Sequence, residues 1–281
     1  MKTKIIILFV ALGSIFSCNP KQSNKEIGLQ LYSIRDSLKL NLNQSIEKIG
    51  KIGYKYVETA GYEDGKIHGM KPENFKKEVE KHGMKVLSAH VGRFLPSPEE
   101  YEEAMSWWDK AIDTHLKAGA KYIVAPCMGE DGYKSLKVLK EYCDYYNEIG
   151  EMCNKKGVKF GYHNHYQEFA KVEDEIIYDF MLKNTDPNKV FFELDLFWII
   201  IGKADPVEYF DKYPKRFELW HIKDKEEVGA SGLVDFKRIF DNKNKSGMKF
   251  YFVEVEGSKK FDQIQSVKIS FDYLNNSDFV K

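Results

Sequence analysis

Short apolar runs and longer amphipathic stretches alternate along this chain, and few folds accept that order. The apolar runs are "IGLQLYS" (27–33), "YKYVETA" (54–60), "MKVLSAHV" (84–91), "AKYIVAPC" (120–127), "VKFGYHNH" (158–165), "KVFFELDLFW" (189–198), "RFELWHIKD" (216–224) and "KFYFVEVEG" (249–257). Each is rich in β-branched or aromatic residues, as strands buried on both faces are. The stretches between them carry helix punctuation. "NQSIEKIGKIG" closes on Gly after a Lys-bearing turn, a helix C-terminus signal. "KPENFKKEVEKHG" has Pro near its start and Gly at its end, the usual asymmetry of a helix. "SPEEYEEAMSWWDKAIDTHLKAG" and "LKVLKEYCDYYNEIGEMCNKKG" follow the same plan, and further helices fall near 173–184, 205–213, 233–242 and 261–275. Strand then helix, repeated every 30 residues or so, predicts an α/β chain folded as a (β/α)8 TIM barrel. A doubly wound sheet would need a Gly-rich first turn, and "GLQLYS" does not supply one.

The N-terminus is set apart from this pattern. Lys2 and Lys4 precede an apolar run from Ile5 to Phe16, then Ser17-Cys18. This reads as a signal peptide over 1–17, too short to span a bilayer comfortably. A small residue before Cys18 resembles a bacterial lipobox, with Cys18 as the lipidated residue. Residues 18–25 then form a tether, and 26–281 one barrel domain. We therefore expect an exported, periplasm-facing envelope protein that meets the membrane only through its lipid. The 281 residues hold 43 basic and 43 acidic side chains. That balance lacks the basic excess a nucleic-acid binder uses against phosphates. Cys127, Cys143 and Cys153 form no CxxC pair and suggest neither a zinc ribbon nor a disulfide framework.

In barrels of this kind the chemistry lies at the C-terminal ends of the strands. His90, His163, His165 and His221 fall there, whereas His68, His82 and His115 fall on the expected helices. Glu58, Glu168, Asp195, Glu254 and Glu256 join the first group. Alternate residues of a strand share a face. That rule pairs His163 with His165, Glu193 with Asp195, His221 with Lys223, and Glu254 with Glu256. Buried carboxylates and imidazoles are costly unless paired or metal-bound. A lone strand-end His is usually a hydrogen-bonded structural residue, but successive strands with ligand-type groups favour a divalent metal site. Lys223 and Asp224 also read as a surface ion pair.

These residues resemble the xylose-isomerase-like TIM barrels, also called sugar phosphate isomerases/epimerases. The resemblance runs from about residue 26 to 276. It rests on "GLQLYSIRD", "SAHV", "GYHNHYQEF", "FELDLFW", "HIKD" and "FVEVEG". It implies a metal held by Asp195, His221 and Glu254. Strand five departs from many relatives, which carry a metal-binding glutamate there. The chain is similar to an "HNHxxEF" subgroup, and either His163 or Glu168 is the ligand. The resemblance also implies catalytic roles among Glu168, Glu254, His165 and Lys223, and substrate contacts from Gln30, Glu58, His90, Trp198 and Glu256. Mixed N/O ligation favours Mn²⁺ or Zn²⁺ over Co²⁺ or Mg²⁺. The implied reaction is proton abstraction α to a carbonyl, giving isomerisation or epimerisation of a small carbohydrate. Export points to an unphosphorylated sugar or keto-sugar. The same site can eliminate a leaving group, as a 3-keto-glycoside lyase would, and a sugar-binding lipoprotein without catalysis is the third reading. The "HNH" string alone also names a nuclease motif, but that motif needs a ββα metal fold.

Overall fold

The computed structural model describes residues 25–281. The segment expected to be a signal peptide, Cys18, and all of the expected tether before Lys25 lie outside them. The described residues close into a parallel eight-stranded barrel. Its strands are β1 Gly28–Gln30, β2 Tyr56–Thr59, β3 Lys85–His90, β4 Tyr122–Ala125, β5 Lys159–His163, β6 Val190–Asp195, β7 Leu219–Lys223 and β8 Phe250–Glu254. Each is followed by an outer helix: α1 Leu42–Ile52, α2 Pro72–Lys81, α3 Tyr101–Ala118, α4 Leu136–Lys155, α5 Ile177–Asn184, α6 Pro206–Lys212, α7 Phe236–Asp241 and α8 Gln263–Asn276. Every strand pairs with its sequence neighbours, and β1 pairs with β8 to close the ring. The predicted architecture is therefore the observed one. None of the described helices is long and apolar enough to cross a membrane.

Strands β1 and β6 end earlier than the apolar runs suggested, both for the same reason. Gln30 caps a 3₁₀ turn over Leu31–Ile34 by accepting from the Tyr32 N–H at 2.9 Å. Asp195 caps a short helix over Leu196–Ile201, its Oδ1 accepting from the N–H groups of Phe197 and Trp198 at 2.9 and 2.7 Å. A polar side chain that satisfies free N–H groups ends a strand even inside an apolar run. His68, expected on a helix, sits instead after a two-stranded hairpin pairing Tyr62–Glu63 with Lys66–Ile67. Its φ is +48°.

The barrel interior is layered. Its lower layer is apolar: Leu87, Tyr122, Val124, Phe191, Leu219 and Phe252 are buried together, with Tyr56 and Phe250 against them. Gly161 makes room for it, because a Cβ there would meet the Phe191 ring at 2.6 Å. Gly28 does the same for Phe252, at 2.5 Å. Each fully buried aromatic contributes on the order of 1.5–3 kcal/mol. A larger core between sheet and helices includes Trp108, Tyr146, Phe160 and Trp220. The apolar plug forces every polar inward residue into one layer above it, at the strands' C-terminal ends.

Candidate active site

That upper layer is built from seven of the eight strands, all but β4: Gln30, Glu58, His90, His163, Glu193 with Asp195, His221 with Lys223, and Glu254. All but half-buried His90 are buried. The rings of His90 and His221 stack at 4.9 Å, and His163 lies 4.5 Å from His221 and 5.0 Å from His90. Above them opens a cavity of about 350 Å³, lined by His90, His163, His165 and Glu254, with Tyr32, Ala60, Pro126, Cys127 and Glu256.

Two overlapping groups have donor atoms within 4.8 Å of one another: His163, Asp195, His221 and Glu254, and below them His90, His163, Glu193 and His221. The upper group fits a divalent cation. Asp195 gives Oδ1 to its helix cap, while its Oδ2 is buried with no hydrogen-bond partner. A buried carboxylate oxygen without a donor costs energy unless a cation meets it. His163 Nε2 stands 4.0 Å from that oxygen, and His221 Nδ1 stands 3.3 Å from Glu254 Oε2. Two imidazoles and two carboxylates suit Mn²⁺ or Zn²⁺. Beneath, His221 Nε2 meets Glu58 Oε1 at 2.7 Å. A metal-binding His is commonly oriented by a carboxylate on its second nitrogen in this way.

The electrostatics follow from burial and crowding. Burial, with Glu58 nearby, raises the Glu193 carboxyl to about 7. Burial also raises Asp195 to about 7, against the opposing pull of Lys223. Burial alone would raise Glu254, but Lys223 and His221 more than offset it and hold Glu254 well below the ordinary carboxylate range. His163 is pushed well below the usual imidazole range by burial and by His221. His221 is held well above it, because Glu193 and Glu254 outweigh its burial.

The stretch "HNHYQEF" resolves into separate jobs. His163 ends β5 inside the cluster. Asn164 Oδ1 accepts from the backbone N–H of Asp195 at 3.1 Å and so ties the end of β5 to the end of β6. His165 was expected on the strand beside His163; the strand ends first, and His165 lies in the loop on the cavity wall. Its imidazole is pushed below the usual range by burial. Glu168 is placed away from both metal-capable groups. Its Oε1 accepts from the hydroxyls of Tyr162 and Tyr133 at 2.6 and 2.9 Å, and its Oε2 from the His165 N–H at 2.9 Å. Both oxygens accept hydrogen bonds, so Glu168 anchors this loop.

Other expected residues also shift. Gln30 and Glu58 are fully buried and bonded to each other at 2.7 Å, so they support His221 from below and do not line the cavity. Glu256 lies beyond the end of β8, at the rim, and Glu254 ends the strand. Lys223 and Asp224 are no surface pair, since both are buried. Lys223 Nζ meets Glu254 at 2.9 Å and Glu256 at 2.5 Å, while Asp224 holds the N–H groups of Lys225 and Gly229. Trp198 is half-buried, 5.9 Å from the His165 ring. Cys127, Cys143 and Cys153 are free thiols. Sequence reasoning left Glu193 out of the site; its shared parity with Asp195 was the signal that could have included it.

Comparison with known proteins agrees with this geometry. A family model described as "Xylose isomerase-like TIM barrel" matches residues 46–276. A solved sugar phosphate isomerase/epimerase from Parabacteroides distasonis is 37% identical, with a TM-score of 0.86 over 92% of this chain and 100% of that one. An inosose dehydratase from Lacticaseibacillus casei is 24% identical over 244 residues, 74% of this chain and 79% of the relative. The solved IOLI protein with a bound zinc atom is 18% identical and shares the fold, with a TM-score of 0.68 over 91% of this chain and 98% of that one.

Proposed function

The chain belongs to the xylose isomerase-like TIM barrel family, and on that premise we propose that it is a divalent-metal-dependent carbohydrate enzyme working by proton transfer α to a carbonyl. The observation that carries this is the partnerless Asp195 Oδ2, buried between two imidazoles and Glu254. His163, Asp195, His221 and Glu254 would hold the ion. Bound there, a divalent cation supplies Lewis acidity to a hydroxy-ketone and so acidifies the neighbouring C–H.

The protein's own groups do the rest. Burial keeps the His165 imidazole below its usual range, so it is neutral near pH 7 and can accept a proton. Glu254 is held ionised by Lys223 and stands on a different wall of the same cavity. His165 removes the proton as a neutral imidazole and, as the imidazolium, returns it to the neighbouring carbon, which gives isomerisation; for epimerisation the opposite face is protonated from solvent while His165 gives its proton up to solvent. Lys223 fixes the Glu254 carboxylate throughout.

The substrate in this reading is an unphosphorylated sugar or keto-sugar. An export signal at 1–17 with lipidation at Cys18 is part of the same proposal and agrees with it. A second reading, elimination by a lyase, is favoured by the dehydratase names of several relatives; it needs one proton acceptor and a β-leaving group, such as the glycosidic oxygen of a 3-keto-glycoside. Purified protein with Mn²⁺ is to be assayed against free ketoses and 3-keto-glycosides, with elemental analysis in parallel. Turnover of either supports an enzyme and separates the readings. Sugar binding with no metal and no turnover would leave a carbohydrate-binding protein instead.

A further inference from the structure

The strand ends opposite the site carry a repeated residue. Lys55, Lys121, Lys189 and Lys249 immediately precede β2, β4, β6 and β8, and Lys85 and Lys159 open β3 and β5. Because the strands are parallel, these starts share one face, the base of the barrel. Backbone bonds join neighbours there: the Lys85 N–H donates to the Lys55 carbonyl, and the Lys159 N–H to the Lys121 carbonyl, at 3.0 Å each. Lys159 pairs with Glu218, which stands just before β7, and Lys189 pairs with Glu151. Among the described residues, Lys55, Lys85, Lys121 and Lys249 make no ion pair. Lys85, Lys121 and Lys249 are exposed. The whole chain carries no formal net charge, so the base is a local excess of positive charge, at the far end from the chemistry. Beside Lys249 the base also holds a cavity of about 350 Å³, lined by Lys243, Lys249 and Lys281 with Glu26, Asn244 and Tyr251. Three lysines against one carboxylate suit an anionic group of phosphate size.

The chain enters the fold on this same face. Lys25 Nζ donates to the carbonyls of Leu274, Asn275 and Ser277, at 3.1, 2.8 and 2.6 Å, which fixes the entry against the C-terminal end of α8. Cys18 is seven residues before Lys25. Seven extended residues reach at most about 25 Å, so a lipid on Cys18 would keep the base within that distance of a bilayer surface. Lysines held near an anionic surface each add to binding, and salt weakens the attraction.

We propose that the base of the barrel is a docking surface for anionic phospholipid headgroups, with a headgroup phosphate in the cavity beside Lys249, so that the active-site mouth opens away from the membrane. This rests on lipidation at Cys18 for proximity, and it extends the membrane contact beyond the lipid alone. The test uses the full chain carrying Cys18→Ser, and vesicles of phosphatidylcholine with and without phosphatidylglycerol. Co-sedimentation at low salt should show at least about tenfold tighter binding to the anionic vesicles, and the excess should fall as salt is raised. Residues 1–24 are common to every chain compared, so variants isolate the base. Lys55→Gln, Lys85→Gln, Lys121→Gln and Lys249→Gln together should remove most of the excess. Lys71→Gln, Lys137→Gln, Lys171→Gln and Lys237→Gln together, at the mouth end, should leave it within about twofold, with circular dichroism showing both variants folded. Without those variants, lysine acylation read by mass spectrometry should find Lys85, Lys121 and Lys249 protected by anionic vesicles, and Lys137 and Lys237 still reactive. No anionic excess, an excess that the base variant keeps, or protection at the mouth end overturns the docking surface, whatever Cys18 carries. A mass for Cys18 without lipid, in protein recovered from a bacterial host, overturns the lipid reading instead and leaves the vesicles to decide the base.

Discussion

Glu193 Oε2 lies 2.7 Å from Nε2 of His90, inside the barrel and out of reach of solvent. The same oxygen is 3.3 Å from Nε2 of His221 and 3.6 Å from Nδ1 of His163. One carboxylate oxygen thus sits beneath three imidazoles, bonded to His90 and close to the other two. Partners of this kind behind metal-binding histidines typically contribute about 10–100-fold to metal affinity. Glu193→Gln should therefore weaken Mn²⁺ or Zn²⁺ binding by about that factor in titration calorimetry, without unfolding the barrel. Unchanged affinity would show that the histidines are oriented by packing alone.

Strand five offers a direct contrast between two variants. His163→Ala removes a donor from both metal-capable groups, and elemental analysis should find the metal nearly absent. Glu168→Gln should keep its metal but melt several degrees lower, because bonds to a charged acceptor contribute about 1.5–3 kcal/mol each. Metal lost from Glu168→Gln and kept by His163→Ala would reverse the assignment.

The barrel was legible because its signals are local. Apolar runs, Pro at helix starts and Gly at helix ends all act within a few residues, and parity then places Asp195, His221 and Glu254 on the inner face. What parity cannot supply is where a strand stops. His165 and Glu256 were read as strand residues, yet the His165 N–H donates to Glu168 and the Val255 N–H to the Ser33 hydroxyl, and pairing ends before them. Nor can sequence say which oxygens are already committed. Glu168 looks like a free carboxylate until the hydroxyls of Tyr133 and Tyr162 arrive from elsewhere. Parity put Glu193 on the inner face with Asp195, but its partners come from β3, β5 and β7, which no local pattern encodes.

Metal affinity should depend on pH in a defined direction. Asp195 is raised to about 7 and His221 well above its usual range. Both must be deprotonated to ligate, so binding releases protons. Affinity should rise with pH up to about 7 and keep rising more gently above it as His221 gives up its proton. Calorimetry at about pH 6 in buffers of different ionisation enthalpy should report at least about one proton released. A pH-independent affinity would mean that Asp195 is not a ligand.

Lys223 carries the last prediction. It is buried and pairs with Glu254 and Glu256. Lys223→Met leaves the buried Glu254 with His221 as its remaining cation, a loss of about 3–5 kcal/mol for a broken buried pair. In the wild type, Glu254 is held well below its ordinary range. Its contribution to stability is then present above the unfolded carboxylate range and lost as pH falls through the depressed value. In the variant, burial acts with much less opposition and raises the Glu254 pKa, so its ionised form becomes the costly one. In chelator, the melting-temperature gap between wild type and Lys223→Met should be large at about pH 8 and shrink by about pH 5, as the variant's Glu254 takes up a proton. Lys223→Arg should show a smaller gap at both values. A gap that does not change with pH would mean that Lys223 stabilises the mouth by packing on Trp198, 5.0 Å away, and not by its charge.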